Sequence, residues 1–391
     1  MSKTVSEQAK KKGIDKNVIF AIALFAGGLI CFIINNRVEI TKLLPAILLF
    51  AAGFFLLIKG GDWFVDGATA IAEKFKVPEI LIGATVVSIG TTLPEVMVSA
   101  QAAAKGSSAI SYGNAIGSII CNTALICAIT LAVKPAKCAK KPLVLPVCFF
   151  FGAAIFYAVN AYVFKSFSRV TGIVLLLCFL VYMIFVVRQA LTQIKEEASA
   201  SSPAGEGKNE ENLQEEELKA ASGKKEEKAE EKEQMSILTA FILLVFGAAI
   251  IAFGATLLVD NGTIIAKKIG VPESVIALTV VALGTSLPEL VTAITSLIKG
   301  HGALSLGNII GANLFNLVLV SGLAVTIRPF DVPSEKLIAG LNASLVVDIP
   351  LVFIVMMLLT FPALFKGKLY RFQGIALLII YAAYMVFQFV V

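Results

Sequence analysis

The sequence predicts an all-α membrane protein, with a ten-helix core of two inverted five-helix repeats plus one extra N-terminal transmembrane helix. Three observations lead there. Hydrophobic residues make up 58% of the chain and charged residues only 15%, against roughly one quarter charged in a soluble domain. Apolar runs of about 17 to 25 residues, the length a helix needs to cross a bilayer, fill almost the whole chain. The third observation is a repeat. Thr85-Val-Val-Ser-Ile-Gly-Thr-Thr-Leu-Pro-Glu95 returns as Thr279-Val-Val-Ala-Leu-Gly-Thr-Ser-Leu-Pro-Glu289, and Asp66, Pro78, Asn114 and Asn122 recur as Asp260, Pro272, Asn308 and Asn316, all at an offset of 194 residues.

The expected spans lie near 18–35, 43–61, 79–103, 113–133, 143–163, 171–188, 236–259, 273–298, 307–327, 342–364 and 372–391. Helical periodicity and internal glycines favour a helix bundle over a barrel. Residues 1–42 form an N-terminal tail and the extra helix, 43–194 the first repeat and 235–391 the second. The apolar stretch after Lys10, Lys11 and Lys12 is long and carries no Ala-x-Ala cleavage pattern, so it is expected to be retained as a helix rather than removed as a signal peptide. Between the repeats, residues 195–234 hold 13 Glu and 7 Lys with scarcely a large apolar residue. Such a segment cannot bury a core and is expected to be a disordered, charged cytoplasmic linker rather than a calcium-sensing tail.

Lysine and arginine bias sets the orientation. With the N-terminus cytoplasmic, the inside loops carry Lys74, Lys76, Lys134, Lys137, Lys140, Lys141, Lys366, Lys368 and Arg371, and the outside loops fewer. The C-terminus then lies outside, and the membrane is expected to be a bacterial or archaeal plasma membrane. Glu95 and Glu289 fall five spans apart, an odd number, so their segments cross in opposite directions. Parity makes the repeat inverted, and its copies meet near the bilayer midplane about a pseudo-two-fold axis, as in secondary transporters.

A carboxylate inside an apolar span is costly, so two repeated ones point to a charged site. Thr91 and Thr92 precede Glu95 by four and three residues and share its helix face. Pro94 has no N–H, which leaves the Gly90 carbonyl without its helical partner. The second copy offers Thr285, Ser286, Pro288 and Glu289. On the following helices, Ser118 and Asn122 are spaced i, i+4, and Asn308, Ala312 and Asn316 follow in the second half. Carboxylates, hydroxyls, amide carbonyls and freed backbone oxygens are the ligands hard cations such as Na⁺ and Ca²⁺ require. Two carboxylates balance one Ca²⁺ or two Na⁺. Asn114 and Asn308 have a second reading as interhelical braces of broken helices, together with Pro94 and Pro288. For Thr91 and Ser286, back-bonding to an i−4 carbonyl is the other reading.

Other residues carry less. Asp66 and Asp260 are expected as interfacial charges near Lys74 and Lys268, Asp348 as a packing acid, and His301 as a solvated loop residue. Cys31, Cys121, Cys127, Cys138, Cys148 and Cys178 form no CxxC pair and are expected as small packing residues. No phosphate-binding loop suggests an ATP motor. No cofactor, nucleic acid or oligomer is implied, and with no nucleophile or metal-ligand cluster beside the acids, enzyme chemistry is not expected. A passive channel is disfavoured because channels place like subunits around an axis.

The two GT(T/S)LPE segments, each followed by GNxxG and a downstream Asn, resemble the alpha-repeats of the cation/calcium exchanger superfamily, sodium/calcium exchanger type. The resemblance covers residues 43–391 without the linker. It implies antiport of Ca²⁺ against Na⁺ by alternating access, with the first helix of each half sliding. It also implies Ca²⁺ ligation by Glu95, Glu289, Thr91 and Thr285. Na⁺ ligation would involve the same glutamates with Thr92, Ser118, Asn122, Thr285, Ser286 and Asn316, and backbone oxygens of Ser88 and Ala282. Two departures stand out. Asn316 occupies a position where some relatives, including the potassium-dependent branch, carry Asp, and Ala312 stands where the mirrored position has Ser118. The alternative is H⁺-coupled exchange of Ca²⁺ or another divalent cation; against it, the proton-coupled branch of the superfamily places an acid after its Gly-Asn pair, where this chain has Gly117-Ser118 and Gly311-Ala312.

Overall fold

The computed structural model describes residues 16–37, 42–135, 138–200, 235–270, 282–334, 337–338 and 340–390. Helix α1 (Lys16–Arg37) precedes the first repeat. That repeat comprises α2 (Leu43–Phe75), α3 (Glu79–Ile82) running through a π-helical turn, Gly83–Val87, into α4 (Ser88–Ala104), and α5 (Ser108–Cys121) running through another, Asn122–Cys127, into α6 (Ala128–Val133). It closes with α7 (Lys140–Val159), extended by π turn Asn160–Phe164, and α8 (Arg169–Ala200). The second repeat follows with α9 (Ile237–Lys268), α10 (Ala282–Gly284), α11 (Leu287–Ile298) and α12 (Gly302–Phe315). Then come π turn Asn316–Val320, α13 (Ser321–Ile327), π turn Ser344–Asp348 with α14 (Ile349–Lys366), and α15 (Arg371–Val390). Among the described residues, ten spans are long and apolar enough to cross a membrane. Of the remaining expected span, 273–298, residues 273–281 lie outside the described residues, and α10 and α11 belong to its remainder.

Burial separates centre from rim. Of the most apolar window, 72% is buried in the span Ser108–Val133 and 83% in Gly302–Ile327, against 17% in α1 and 28% in α8. The two GNxxG helices therefore form the core, and the rim presents apolar side chains such as Leu48, Phe54, Val163 and Ile379 to lipid.

Helices α2 and α9, the first of each repeat, cross along a glycine seam. A Cβ on Gly53 would stand 2.8 Å from the Gly254 carbonyl oxygen, and one on Gly254 2.8 Å from that of Gly53. Gly60 and Gly247 face each other the same way, at 3.0 Å in both directions. Gly247 is the repeat mate of Gly53, and Gly254 that of Gly60, so the contact is self-complementary, as a two-fold axis requires.

Contacts at the two ends follow the expected alternation. At one end Lys299 Nζ meets Asp66 Oδ1 at 2.8 Å, His301 Nδ1 meets Glu79 Oε1 at 2.7 Å, and Lys140 Nζ donates to the Phe365 carbonyl at 2.6 Å. At the other, the two-residue strands β1 (Ser166–Phe167) and β2 (Phe330–Asp331) pair antiparallel, and Arg169 Nε donates to the Thr326 carbonyl at 3.0 Å. A second short hairpin, β3 (Leu337–Ile338) with β4 (Leu341–Asn342), lies in the same connection as β2.

Several expectations need correction. Helices α2 and α9 continue to Phe75 and Lys268, beyond the ends expected at 61 and 259. Asp66 therefore lies within α2 and pairs with Lys299 rather than Lys74; Asp260 lies within α9 and accepts from Asn35 Nδ2 of α1 at 2.7 Å rather than facing Lys268. His301 is a hydrogen-bond partner of Glu79 rather than a solvated loop residue. Helix α8 runs to Ala200, into the expected linker, because Lys195, Glu196, Glu197 and Ala198 are good helix formers. The rest of the expected linker, 201–234, lies outside the described residues. Asp348 is a packing acid as expected, accepting from Tyr384 at 3.3 Å. The cysteines are free thiols.

Candidate functional site

The two GT(T/S)LPE segments meet at the centre of the bundle, but their backbones differ. In the first half α4 runs unbroken through Pro94, where a break was expected. A proline inside a membrane helix is tolerated when neighbours satisfy the freed groups. In the second half the helix does break, at Thr285–Ser286, and Pro288 opens α11 at its N-terminal turn, where a missing N–H needs no acceptor.

Glu95 on α4 and Glu289 on α11 are both fully buried, and so are Asn122 and Asn316. Thr92, one turn from Glu95, donates to Glu289 Oε1 at 3.5 Å, and the two carboxylates lie within electrostatic reach of each other. Among the described residues, neither oxygen of Glu95 has a hydrogen-bond partner, nor has Oε2 of Glu289, nor either polar atom of Asn122 or Asn316, nor the Ser286 hydroxyl. Buried polar atoms are almost always paired. So many orphans in one place, rich in oxygen and carrying two acids, is a donor set suited to a hard cation. Asn122 and Asn316 each open a π-helical turn, where the hydrogen-bond register shifts and such turns frequently serve functional sites.

The neighbouring asparagines tie the halves together symmetrically. Thr91 donates to Asn308 Oδ1 at 3.2 Å, and its repeat mate Thr285 donates to Asn114 Oδ1, also at 3.2 Å. Asn114 Nδ2 in turn bonds the Glu95 carbonyl at 3.1 Å and Ser99 Oγ at 2.8 Å. Ser99 has Ala293 as its mate, and Asn308 Nδ2 is correspondingly unpartnered among the described residues. Bracing is thus visible for Asn114 and Asn308, and it crosses between the repeats. Thr91 also lies 3.4 Å from the Ser88 carbonyl. Ser118 is buried on α5, and Ala282 opens α10.

The sequence pattern did not reveal the residues that hold these helices in place. Tyr182 of α8 donates to the Ala84 carbonyl at 2.9 Å, and Ser88 Oγ to that of Gly83 at 2.7 Å; both carbonyls belong to the π turn ahead of α4. Asn313 bridges from α12 to Thr123 at 2.7 Å. Asn313 and Tyr182 have no polar mate in the repeat, so the internal symmetry that exposed the other residues is silent about them.

An inverted pair of helical repeats around shared buried acids defines a secondary transporter fold. The family model described as "Sodium/calcium exchanger protein" matches residues 45–188 and 239–390. The chain belongs to the sodium/calcium exchanger family, a family of membrane cation/calcium antiporters rather than enzymes. It is 29% identical over 364 residues to the sodium/calcium exchanger MaX1 of Methanosarcina acetivorans, covering 88% of this chain and 98% of that one. It is 31% identical to the inner membrane protein YrbG of Escherichia coli (74% and 82% covered) and 30% identical to the putative antiporter CaxA of Alkalimonas amylolytica (89% and 98%). Its fold matches a structure of the sodium-calcium exchanger NCX_Mj soaked with Na⁺ and Sr²⁺, with a TM-score of 0.68 and 28% identity, over 88% of this chain and 99% of that one. The protein is accordingly a multi-pass membrane protein. Helix α1 lies outside the family match.

Proposed function

We propose that the protein exchanges Na⁺ for Ca²⁺ by alternating access, with Glu95 and Glu289 sharing the transported ion. The observation that carries this reading is the pair of fully buried acids, brought from antiparallel segments, with three of their four oxygens unpartnered among the described residues. Their combined charge balances one Ca²⁺ or two Na⁺, so the ions compete for one centre. Thr91 and Thr285 complete the Ca²⁺ site. Thr92, Ser118, Asn122, Thr285, Ser286 and Asn316, with backbone oxygens of Ser88 and Ala282, serve Na⁺ beside the glutamates. The names of MaX1 and NCX_Mj support the choice of Na⁺. The glycine seam supports α2 and α9 as the elements that slide, since a contact without side chains offers little to lock them. The excess of Lys and Arg at the end bearing residues 134–141 and 366–371 supports a cytoplasmic position for that end and the N-terminus, in a cell whose plasma membrane carries the protein.

Proteoliposomes with an imposed Na⁺ gradient and pH clamped are expected to take up Ca²⁺. Uptake driven only by a pH gradient would transfer the reading to H⁺-coupled exchange, in which the same glutamates carry protons. Deleting residues 203–232 is expected to leave the rate of Na⁺-driven uptake within about twofold of the intact protein, since a linker of this composition contributes tether and not core. Loss of uptake on that deletion would give the segment a working role.

A further inference from the structure

We infer that the Ser88 side chain supplies, from α4, the Na⁺-ligating hydroxyl that Ala312 lacks on α12. The inference rests on the Na⁺/Ca²⁺ reading above and adds to it a side-chain role beyond the backbone oxygen already assigned to Ser88. Two substitutions between the repeats are reciprocal. Ser118 has Ala312 as its mate, and Ala282 has Ser88. The inverted arrangement packs α4 and the π turn before it against α12. A hydroxyl lost from α12 is therefore matched by one gained on the segment that faces it.

The geometry places that hydroxyl where the lost one belongs. A serine within a helix bonds the carbonyl four residues earlier, which for position 312 is that of Asn308. Ser88 Oγ, fully buried, bonds this same oxygen at 2.9 Å. It also lies 3.3 Å from Asn308 Oδ1 and 2.7 Å from the Gly83 carbonyl. A Cβ added to Gly311, next to Ala312, would stand 2.3 Å from Ser88 Oγ, so the hydroxyl fills the groove beside the vacant position. One hydroxyl hydrogen faces three acceptor oxygens here, and Thr91 turns its own hydroxyl to the same Asn308 Oδ1. Oxygens in excess of hydrogens are what a small hard cation accepts. The crowding also explains why only one of the two positions carries a serine.

The test is Na⁺-driven Ca²⁺ exchange in proteoliposomes, reading the half-saturating Na⁺ and Ca²⁺ concentrations separately. Ser88→Ala is expected to raise the half-saturating Na⁺ about fivefold, the worth of one neutral hydroxyl, with that for Ca²⁺ changed less than about twofold. The double variant Ser88→Ala with Ala312→Ser restores the hydroxyl from the other helix and is expected to recover the Na⁺ value. Ser88→Cys keeps the side-chain size while replacing the hard oxygen; it is expected to show the same rise of about fivefold, and it carries the test should Ser88→Ala fail to fold. Unchanged Na⁺ dependence in Ser88→Ala and Ser88→Cys overturns the inference, and so does a double variant no better than the single. Absence of Na⁺ dependence in the unaltered protein would instead overturn the exchange reading.

Discussion

Glu95→Gln and Glu289→Gln are each expected to abolish Ca²⁺ transport while leaving the protein folded. Both acids are fully buried, and both oxygens of Glu95 lack a hydrogen-bond partner among the described residues. Glutamine preserves the size of the side chain and one carbonyl oxygen, so packing is retained and only charge is lost. A divalent ion then faces one negative charge in place of two. Removing one member of a buried charge set typically costs about 3–5 kcal/mol, or more than about a hundredfold in affinity. Stability without Ca²⁺ moves the other way, because an acid buried in a membrane span is itself costly. Each variant is therefore expected to melt at or above the temperature of the unaltered protein in Ca²⁺-free detergent, and to lose the rise in melting temperature that bound Ca²⁺ brings. Substantial uptake, or an undiminished Ca²⁺-dependent shift, by either variant would remove the two acids from the site.

What the sequence made legible follows from symmetry. Because Glu95 and Glu289 fall an odd number of spans apart, their meeting is derivable from span parity before any coordinate is known. The same offset names Asn114 with Asn308, and Asn122 with Asn316. It does not say that Thr91 reaches across to Asn308 and Thr285 to Asn114, since cross-repeat pairing depends on how closely the helices approach. The π turns opening at Gly83, Asn122 and Asn316 were invisible for a similar reason. A shift of hydrogen-bond register depends on tertiary packing and has no local composition of its own. Hydropathy set the ends of α2 and α9 too early. It scores Asp66 and Asp260 as polar, whereas Lys299 and Asn35 arrive from elsewhere in the chain to satisfy them. His301 was misplaced on the same ground, because its partner Glu79 is remote in sequence. In each case the residue itself was legible and its partner was not.

The glycine seam sets a second demand, independent of ligand chemistry. Gly254→Val is expected to reduce exchange to below about a tenth of the unaltered rate and to destabilise the bundle by about 1–3 kcal/mol. Its new Cβ would stand 2.8 Å from the Gly53 carbonyl oxygen and 2.9 Å from the Leu57 amide nitrogen, and backbone cannot rotate aside as a flexible side chain can. Helices α2 and α9 must then separate, which disturbs α4, against which α9 packs, and with it the setting of Glu95. Gly53→Val, on the facing helix, meets the Gly254 carbonyl at the same 2.8 Å and is expected to give a similar loss. Gly152→Ala on α7 is the control, because nothing among the described residues lies within 4 Å of its added Cβ. Alanine is also the better helix former by roughly 0.5–1 kcal/mol, so this variant should exchange normally and melt no lower. Comparing transport with the Ca²⁺-induced rise in melting temperature separates two causes of failure. A Gly254→Val protein that still shows the rise has kept its site and lost the motion between α2 and α9. One that loses both has had its carboxylates displaced. Normal exchange by Gly254→Val and Gly53→Val would mean that the α2–α9 contact is loose enough to absorb a side chain, and the sliding of these two helices would have to be abandoned as the route of access.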